Sequence, residues 1–407
     1  MEKFITAVID AGSSGTRLFL FDVQPGAYPI VKKIAEVEHS TMPNGEREDG
    51  INNFVHPLAP NLEAQVVPMI VWPLLNSIRP QLYSLGVEPS QVSVHLFATA
   101  GMRYSAKMFG VQAIEHFYDR IRHGINQAGF ALGEVRTIDG QREEGVWTWI
   151  NLNDLERDVF RTDASPLGIV EVGGSSAQLS FPVDTDYPHK ESVQIVTING
   201  RTFNLYCKSY MGLGQDDARK AMRIKLGEAS ACCFPKGFRA ENDFGDVLDG
   251  VGQYRLSEDG RYHFSDCHAI YEQIIKDVVM NDPMPSVDEI KIDFVGTDAI
   301  FHATRYWMVE HNPIQLAAML IDQSLSLDMF PGIESNEFIQ AQAANATYVH
   351  ALLFGEQGLF KNRHQQLLSA LPGKSENKGT HLTWTRGYLL QKFAFAKPDL
   401  NCPQPVA

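Results

Sequence analysis

Cysteine, positive charge and long apolar runs are all scarce in this chain, and each shortage removes a class of function. Five cysteines in 407 residues are too few for a scaffold built on disulfides. They form no Cys-x-x-Cys pair, so a zinc site is not expected. Lysine and arginine number 35 against 49 acidic residues, a formal charge of -14, which argues against nucleic acid or an acidic membrane as partner, since both need a cationic face. An anionic substrate would have to be held by backbone amides, a few basic side chains and a divalent metal. No apolar run reaches the roughly 18 residues that span a bilayer. The longest candidate, residues 66–75, is broken by Pro68 and Pro73, so a soluble chain without a membrane segment is expected. Residues 1–4 lead straight into the first apolar run, and no signal peptide is expected within this chain.

What the chain does have is 44% apolar and 21% charged residues, an ordinary globular composition long enough for two domains. It also has a repeated turn. Asp10-Ala11-Gly12-Ser13-Ser14-Gly15-Thr16-Arg17 and Glu171-Val172-Gly173-Gly174-Ser175-Ser176-Ala177-Gln178 each follow a short β-branched run and lie about one domain length apart. Residues 5–9 and 169–172 read as buried strands, and 18–21 and 179–181 as the strands that leave the turns. Glycine lets the main chain approach a phosphate, successive N–H groups form an anion nest, and the hydroxyls add donors. The acid heading each turn would face a metal. Glycine and serine between strands also make ordinary hairpins; two copies with an acid in the same place favour the phosphate reading.

Between the turns, residues 92–97 read as a strand delivering Ala98-Thr99-Ala100-Gly101-Met102-Arg103 to one long amphipathic helix over 106–128. Residues 62–85 have helical spacing. Residues 140–153 read as a loop entering a helix, and Glu143-Glu144 there supply the best general-base candidate, at the junction where clefts form. Residues 290–295 read as a later strand ending in Gly296-Thr297-Asp298, and residues 197–260 as loop-rich. Helices over 343–353 and 381–395 carry Tyr348 and Tyr388, at a spacing that by itself favours core packing. Cys207, Cys232, Cys233 and Cys267 cluster within about 60 residues, which favours at least one disulfide.

Taken in order, Asp-Ala-Gly-Ser-Ser at 10–14, Ala-Thr-Ala-Gly-Met-Arg at 98–103, Glu-Glu-Gly with Trp147 and Asn151, and Gly-Gly with Ser176 and Gln178 resemble the motifs of the nucleoside triphosphate diphosphohydrolase (apyrase) family. A fainter likeness runs through residues 209–214, 233–237 and 346–349. The resemblance implies an α/β fold of actin/Hsp70-like architecture, two ribonuclease H-like lobes with the active site in the cleft between them. Residues 1–140, completed by 391–407, would form the first lobe and 141–390 the second. It implies a monomer that hydrolyses nucleoside tri- and diphosphates such as ATP, ADP, GTP and GDP to the monophosphate with Ca2+ or Mg2+.

By motif position, Ser13, Ser14, Gly15 and Thr16 would hold one side of the phosphate chain, and Gly173, Gly174 and Ser175 the other. Thr99 and Ala100 would line the terminal phosphate, with Arg103 supporting the turn. Glu144 would be the base, Ser176 and Gln178 would position the attacking water, and Asp10 and Glu171 would hold the metal through water. Tyr348 would stack on the nucleobase, with Arg386 and Tyr388 as further nucleoside candidates. Glu171 stands where the family usually has aspartate, Ala177 where it has threonine and Asp154 where a tyrosine often follows Asn153. The resemblance also pairs Cys233 with Cys267, which favours a secreted or periplasmic location. The sequon Asn345-Ala346-Thr347 is read as chance. Two other readings share acidic glycine-serine turns: an exopolyphosphatase or guanosine pentaphosphatase, and an actin-like or sugar-kinase-type ATP-binding protein.

Overall fold

The computed structural model describes residues 4–37, 50–226, 232–234, 262–285, 287, 290–309, 311–321, 341–360, 368–370, 374–375, 380–381 and 383–395. The chain divides into two compact units. The first comprises Met1–Pro166, Ser180–Lys208 and Leu382–Ala407, and the second Leu167–Leu179 and Ser209–His381.

In the first unit, strands β1 (Phe4–Gly12), β2 (Gly15–Gln24), β3 (Ile30–Val37), β4 (Ser93–Ala98) and β5 (Ala131–Thr137) form a sheet in the order β3-β2-β1-β4-β5. β1, β4 and β5 run parallel, with Ala11 beside Ala98 and Ala98 beside Thr137, so their carboxyl ends share one edge. The inner strands β1 and β4 are mostly apolar and buried because both faces are covered. Ala7, Ile9, Leu18 and Leu20 pack with Ile70, Leu74, Phe117 and Ile121 on one side, while Phe97 meets Trp147, Trp384 and Tyr388 on the other.

The expected long helix over 106–128 is two helices, α1 (Ala100–Phe109) and α2 (Val111–Gln127). They part at Gly110, whose φ of +86° no continuous right-handed helix accommodates. Residues 60–85 are helical in short pieces joined by a wide turn over Val67–Val71. Helix α3 (Gly145–Glu156) is enclosed on all sides from Gly145 to Leu155, its buried polar residues included.

The second sheet combines β6 (Gly168–Val172), β7 (Ser176–Val183), β8 (Val193–Ile198), β9 (Arg201–Met211), β10 (Phe294–Asp298) and β11 (Leu368–Ala370) in the order β11-β10-β6-β7-β9-β8. β10 lies parallel to β6 and β11. It starts at Phe294 and includes Gly296-Thr297-Asp298, so the strand expected over 290–295 is displaced toward its carboxyl end. Part of the region expected to be loop-rich is the hairpin β8–β9, closed on Asn199-Gly200 with φ of +55° and +74°; the two left-handed residues are those that a type I′ turn requires. Helices α4 (Gln215–Leu226), α5 (Phe264–Val279), α6 (Ala299–Tyr306) and α7 (Gln342–Phe354) belong to the second unit, and α8 (Trp384–Phe393) to the first. Cys233 is bonded to Cys267 on α5, in agreement with the pairing the resemblance implied. Asn345 of the sequon is enclosed at 4% exposure and accepts a hydrogen bond from Arg219. No described helix is long and apolar enough to cross a membrane.

Helix α8 sits directly on α3 through a glycine: a Cβ on Gly387 would stand 1.9 Å from the Trp147 carbonyl oxygen. Gly387→Ala is therefore expected to destabilise the protein by about 3 kcal/mol, the cost of overpacking against a backbone that must shift. Gly86→Asn, at a left-handed position with open space, should cost less than about 1 kcal/mol. Denaturant midpoints of the two variants check the contrast. Breaking the disulfide by Cys233→Ala with Cys267→Ala, which opens a sequence separation of 34, should cost about 3–4 kcal/mol on the chain-entropy model, read in the same titration.

Candidate active site

The carboxyl edge of β1, β4 and β5 gathers the first unit's candidates. Ser13 and Ser14 are the tip of the β1–β2 hairpin, closed where Gly12 pairs with Gly15. Ser14 is exposed, whereas Thr16 is enclosed at 0% exposure. Asp10 is half-buried on β1, opposite Arg17 of β2 and beside Phe97 of β4. The Thr99 N–H donates to the Ala11 carbonyl, and the Thr99 carbonyl accepts from Arg103 N–H as α1 begins. The first turn and the Thr99-Ala100 corner are thus tied through neighbouring strand ends. Open parallel sheets bind ligands at this edge.

Glu144 follows β5. Its turn, Gly140–Glu144, is a wide helical turn rather than the expected loop, started by the Asp139 carboxylate, which accepts from the N–H groups of Gln141 and Arg142 at 2.9 and 2.7 Å. The paired acids then separate. Glu143 is bound at both oxygens by Arg136, at 2.7 and 2.9 Å, and also accepts from Asp139 N–H. Glu144 is 7% exposed, and its Oε2 accepts from Arg103 Nη2 at 2.7 Å. The charged group against Glu144 is therefore a guanidinium and not the neighbouring acid. Arg103 also donates to the Ile138 carbonyl at 3.2 Å, so one side chain links α1, the end of β5 and the candidate base.

The second unit carries the other turn, and it is braced through its carbonyls. Gly173 O accepts from Gln215 N–H, Gly174 O from the N–H groups of Asp216 and Asp217, and Ser175 O from Gly212 N–H, at 2.8–3.1 Å. The amino end of α4 thereby absorbs the turn's acceptors, and among the described residues the N–H groups of Gly174 and Ser175 make no hydrogen bond. This polarity suits an anion nest. The contact is so close that a Cβ on Gly214 would stand 2.2 Å from Ser175 N. Ser175 Oγ donates to Asp217, and Gln178 Nε2 donates to Ser176 Oγ at 2.7 Å and to Ser209 Oγ at 3.3 Å. Asp217 was not among the residues singled out from sequence; its role comes from the helix end that carries it.

Glu171 is 8% exposed on β6, in register with Thr297 of β10. Register partners on parallel strands face the same side of a sheet. The Thr297 hydroxyl is fully buried and has no hydrogen-bond partner among the described residues. A buried hydroxyl without a partner beside a carboxylate fits a hydrated cation, whose shell supplies donors and acceptors. Among the described residues no three His, Cys, Asp or Glu side chains converge as a direct metal cage.

Two expected nucleoside residues have other partners. Tyr348 is 1% exposed on α7, its ring against Tyr271 and its hydroxyl donating to the Leu213 carbonyl. It braces the Gly212-Leu213-Gly214 segment that supports the second turn. Burial holds its phenol well above the ordinary range. Arg386 is 8% exposed and bonded to Asp154 at 2.6 Å, Asn151 at 3.1 Å and the Val31 carbonyl at 3.3 Å, all within the first unit. Tyr28 donates to the other oxygen of Asp154 at 2.7 Å. Asp154, the departure from the family's usual tyrosine, is thus the counter-charge of Arg386. Tyr388 donates to Glu134 at 3.0 Å from within the aromatic cluster around Phe97.

Comparison with known proteins places this geometry in context. The sequence profile of the GDA1/CD39 (nucleoside phosphatase) family matches residues 2–330. A probable apyrase 4 of Arabidopsis thaliana is 24% identical over 324 residues, 74% of this chain and 61% of that protein. Ectonucleoside triphosphate diphosphohydrolase 5 of Gallus gallus is 25% identical over 304 residues, 71% of this chain and 65% of its own length. The chain thus spans somewhat under two thirds of these relatives. The crystal structure of nucleoside triphosphate hydrolases from Neospora caninum superposes with a TM-score of 0.61 at 15% identity, covering 97% of this chain and 93% of the other. That likeness shows the fold, an α/β architecture of two ribonuclease H-like lobes as in actin and Hsp70. With a family profile matched from residue 2 to residue 330 of 407, this chain belongs to the GDA1/CD39 nucleoside phosphatase family.

Proposed function

We propose that this chain hydrolyses nucleoside tri- and diphosphates to the monophosphate, with Glu144 as the base for the attacking water. The Arg103–Glu144 contact of 2.7 Å carries the reading. Phosphoryl transfer to water needs an in-line nucleophile, a proton acceptor and neutralised charge, and no covalent intermediate. The Glu144 carboxylate, fixed in one orientation by Arg103, takes the water proton as oxygen attacks the terminal phosphorus. The phosphorus–oxygen bond to the rest of the nucleotide then breaks, and inorganic phosphate and the shortened nucleotide leave. Ser13, Ser14 and Gly15 with Thr99 and Ala100 bind the phosphates in the first unit. Gly173, Gly174 and Ser175 do so in the second, through N–H groups left unused by the turn. Gln178 orders Ser176, and the pair positions the water. Thr16, enclosed at 0% exposure, supports the first turn from inside.

Asp10 and Glu171 are the residues that would hold Ca2+ or Mg2+ through water. When bound, the cation neutralises phosphate charge. The longer arm of Glu171 suits the looser coordination of calcium better than magnesium's octahedron. Base recognition would be permissive, with no aromatic platform assigned to it. The Cys233–Cys267 disulfide supports an oxidising compartment, secreted or periplasmic.

Chromatography of ATP, ADP and AMP over time, in calcium, magnesium and chelator, tests the activity. Metal-dependent conversion of ATP and ADP to AMP is expected. ATP loss stopping at ADP would favour the kinase-like or nucleotide-switch reading, and cleavage of long polyphosphate with ADP untouched would favour the exopolyphosphatase. Glu144→Gln should keep nucleotide binding and lose about 10²–10⁴-fold in kcat; near-normal turnover would remove Glu144 as base. Tyr348→Phe deletes only the bond to Leu213, so KM for ATP and for tripolyphosphate should rise together. Unchanged KM for both would remove the brace, and a rise confined to ATP in Tyr348→Ala, which deletes the ring, would return Tyr348 to the nucleobase.

A further inference from the structure

Asn52 lies beside the first turn, and its side-chain oxygen is buried between two glycines. It belongs to a short 3-10 turn, Ile51–Phe54, pinned in the first unit's core by Ile51 at 0% exposure and followed by Val55 at 3%. The backbone bonds Asn53 N–H to Gly50 O and Val55 N–H to Asn52 O complete the turn. The amide orientation is fixed because Nδ2 donates to Asn53 Oδ1 at 2.9 Å, which turns Oδ1 inward. That oxygen is buried and has no hydrogen-bond partner among the described residues.

Two glycines surround it. A Cβ on Gly101, at the start of α1, would stand 2.5 Å from Asn52 Oδ1, 2.8 Å from its Cγ and 3.2 Å from Ser13 Cα. A Cβ on Gly50 would stand 2.7 Å from the same Oδ1 and 2.5 Å from the carbonyl oxygens of Gly12 and Ser13. The Cα hydrogens of both glycines therefore face the buried oxygen, the arrangement of weak Cα–H···O contacts. The first turn, Gly50, Asn52 and the first turn of α1 close into a ring of contacts at van der Waals limits.

We infer that Asn52 is a positioning residue that sets the spacing between the first turn and the Thr99-Ala100 corner; this rests on the reading of both as phosphate-binding. Its oxygen fills the space between the two backbones, and the two glycines permit the approach. A displacement of these elements by about 1 Å costs on the order of 100-fold in a site that works by alignment.

The test measures the affinity of inorganic tripolyphosphate by calorimetry, with calcium or magnesium present and every protein carrying Glu144→Gln so that the probe is not consumed. Asn52→Ala should weaken binding about 10-fold or more with little change in melting temperature. Gly101→Ala, whose methyl meets the carboxamide, should weaken it further. The double variant should bind better than Gly101→Ala alone, because removing the carboxamide makes room for the methyl. Such coupling is expected only of groups in contact. Asn52→Asp keeps the acceptor and adds a negative charge beside the turn, so its loss of affinity should shrink at high salt. Unchanged affinity in Asn52→Ala, or losses that multiply in the double variant, would overturn the inference while leaving hydrolysis intact. Tripolyphosphate binding by the Glu144→Gln parent, with no hydrolysis of ATP or ADP by the unsubstituted chain, would remove the proposed activity and leave Asn52 in its role; no binding by that parent would remove both.

Discussion

A backbone turn can offer its N–H groups to an anion only if its carbonyls are satisfied from behind, and that demand brings two main chains into direct contact. At the second turn the amino end of α4 supplies the donors, and Gly214 is the residue whose missing side chain admits it, since a Cβ would lie 2.2 Å from Ser175 N. At the first turn Gly50 and Gly101 admit the close approach of the Asn52 carboxamide. Under the helix that follows Glu144, Gly387 lets α8 reach the Trp147 carbonyl. Each glycine spends conformational freedom in the unfolded chain, and each is placed where a methyl would push a candidate site element out of line.

Charge is arranged with similar economy. The chain carries a formal charge of -14, and two of its arginines near the site are bound to specific carboxylates. Arg103 holds Glu144, and Arg386 holds Asp154 with Tyr28 on the second carboxylate oxygen. The second pair crosses from α8 to α3, with Asn151 and the Val31 carbonyl completing the guanidinium's hydrogen bonds. A buried ion pair is stabilising only when its remaining donors and acceptors are satisfied, and here they largely are. The helix that starts at the candidate base is therefore fixed at both ends by guanidinium–carboxylate contacts, one at Glu144 and the other at Asp154.

The turns, the strands that enter them and the Glu144 segment were legible in the sequence because each depends on local pattern: β-branched runs, glycine with hydroxyls, and an acid at a fixed offset. The fold and family followed from the order of these motifs. Other features were set by contacts distant in sequence. Nothing around Tyr348 or Arg386 reveals Leu213, 135 positions away, or Asp154, 232 positions away. The resemblance assigned both to the nucleoside, and the structure gives each a partner inside its own unit. Asn52 gave no signal, since its confinement comes from glycines on either side of a 3-10 turn. The β8–β9 hairpin was legible through Asn199-Gly200 but lay within a stretch rich in turn residues. Gly110 likewise marked the break between α1 and α2, though the apolar period continues across it.

Chain order adds a consequence of another kind. The first unit is discontinuous: its last helix, α8, comes from Trp384–Phe393, yet α8 supplies the surface on which Trp147, Asn151 and Asp154 of α3 rest. During synthesis the helix that follows Glu144 must wait for more than two hundred further residues before its partner emerges. The second unit, largely an insertion within the first, can assemble meanwhile. A nascent chain therefore lacks the surface that seats α3 until α8 has been made, and a polypeptide stalled or cleaved before α8 would possess both glycine turns and lack the scaffold that aligns the Glu144 carboxylate.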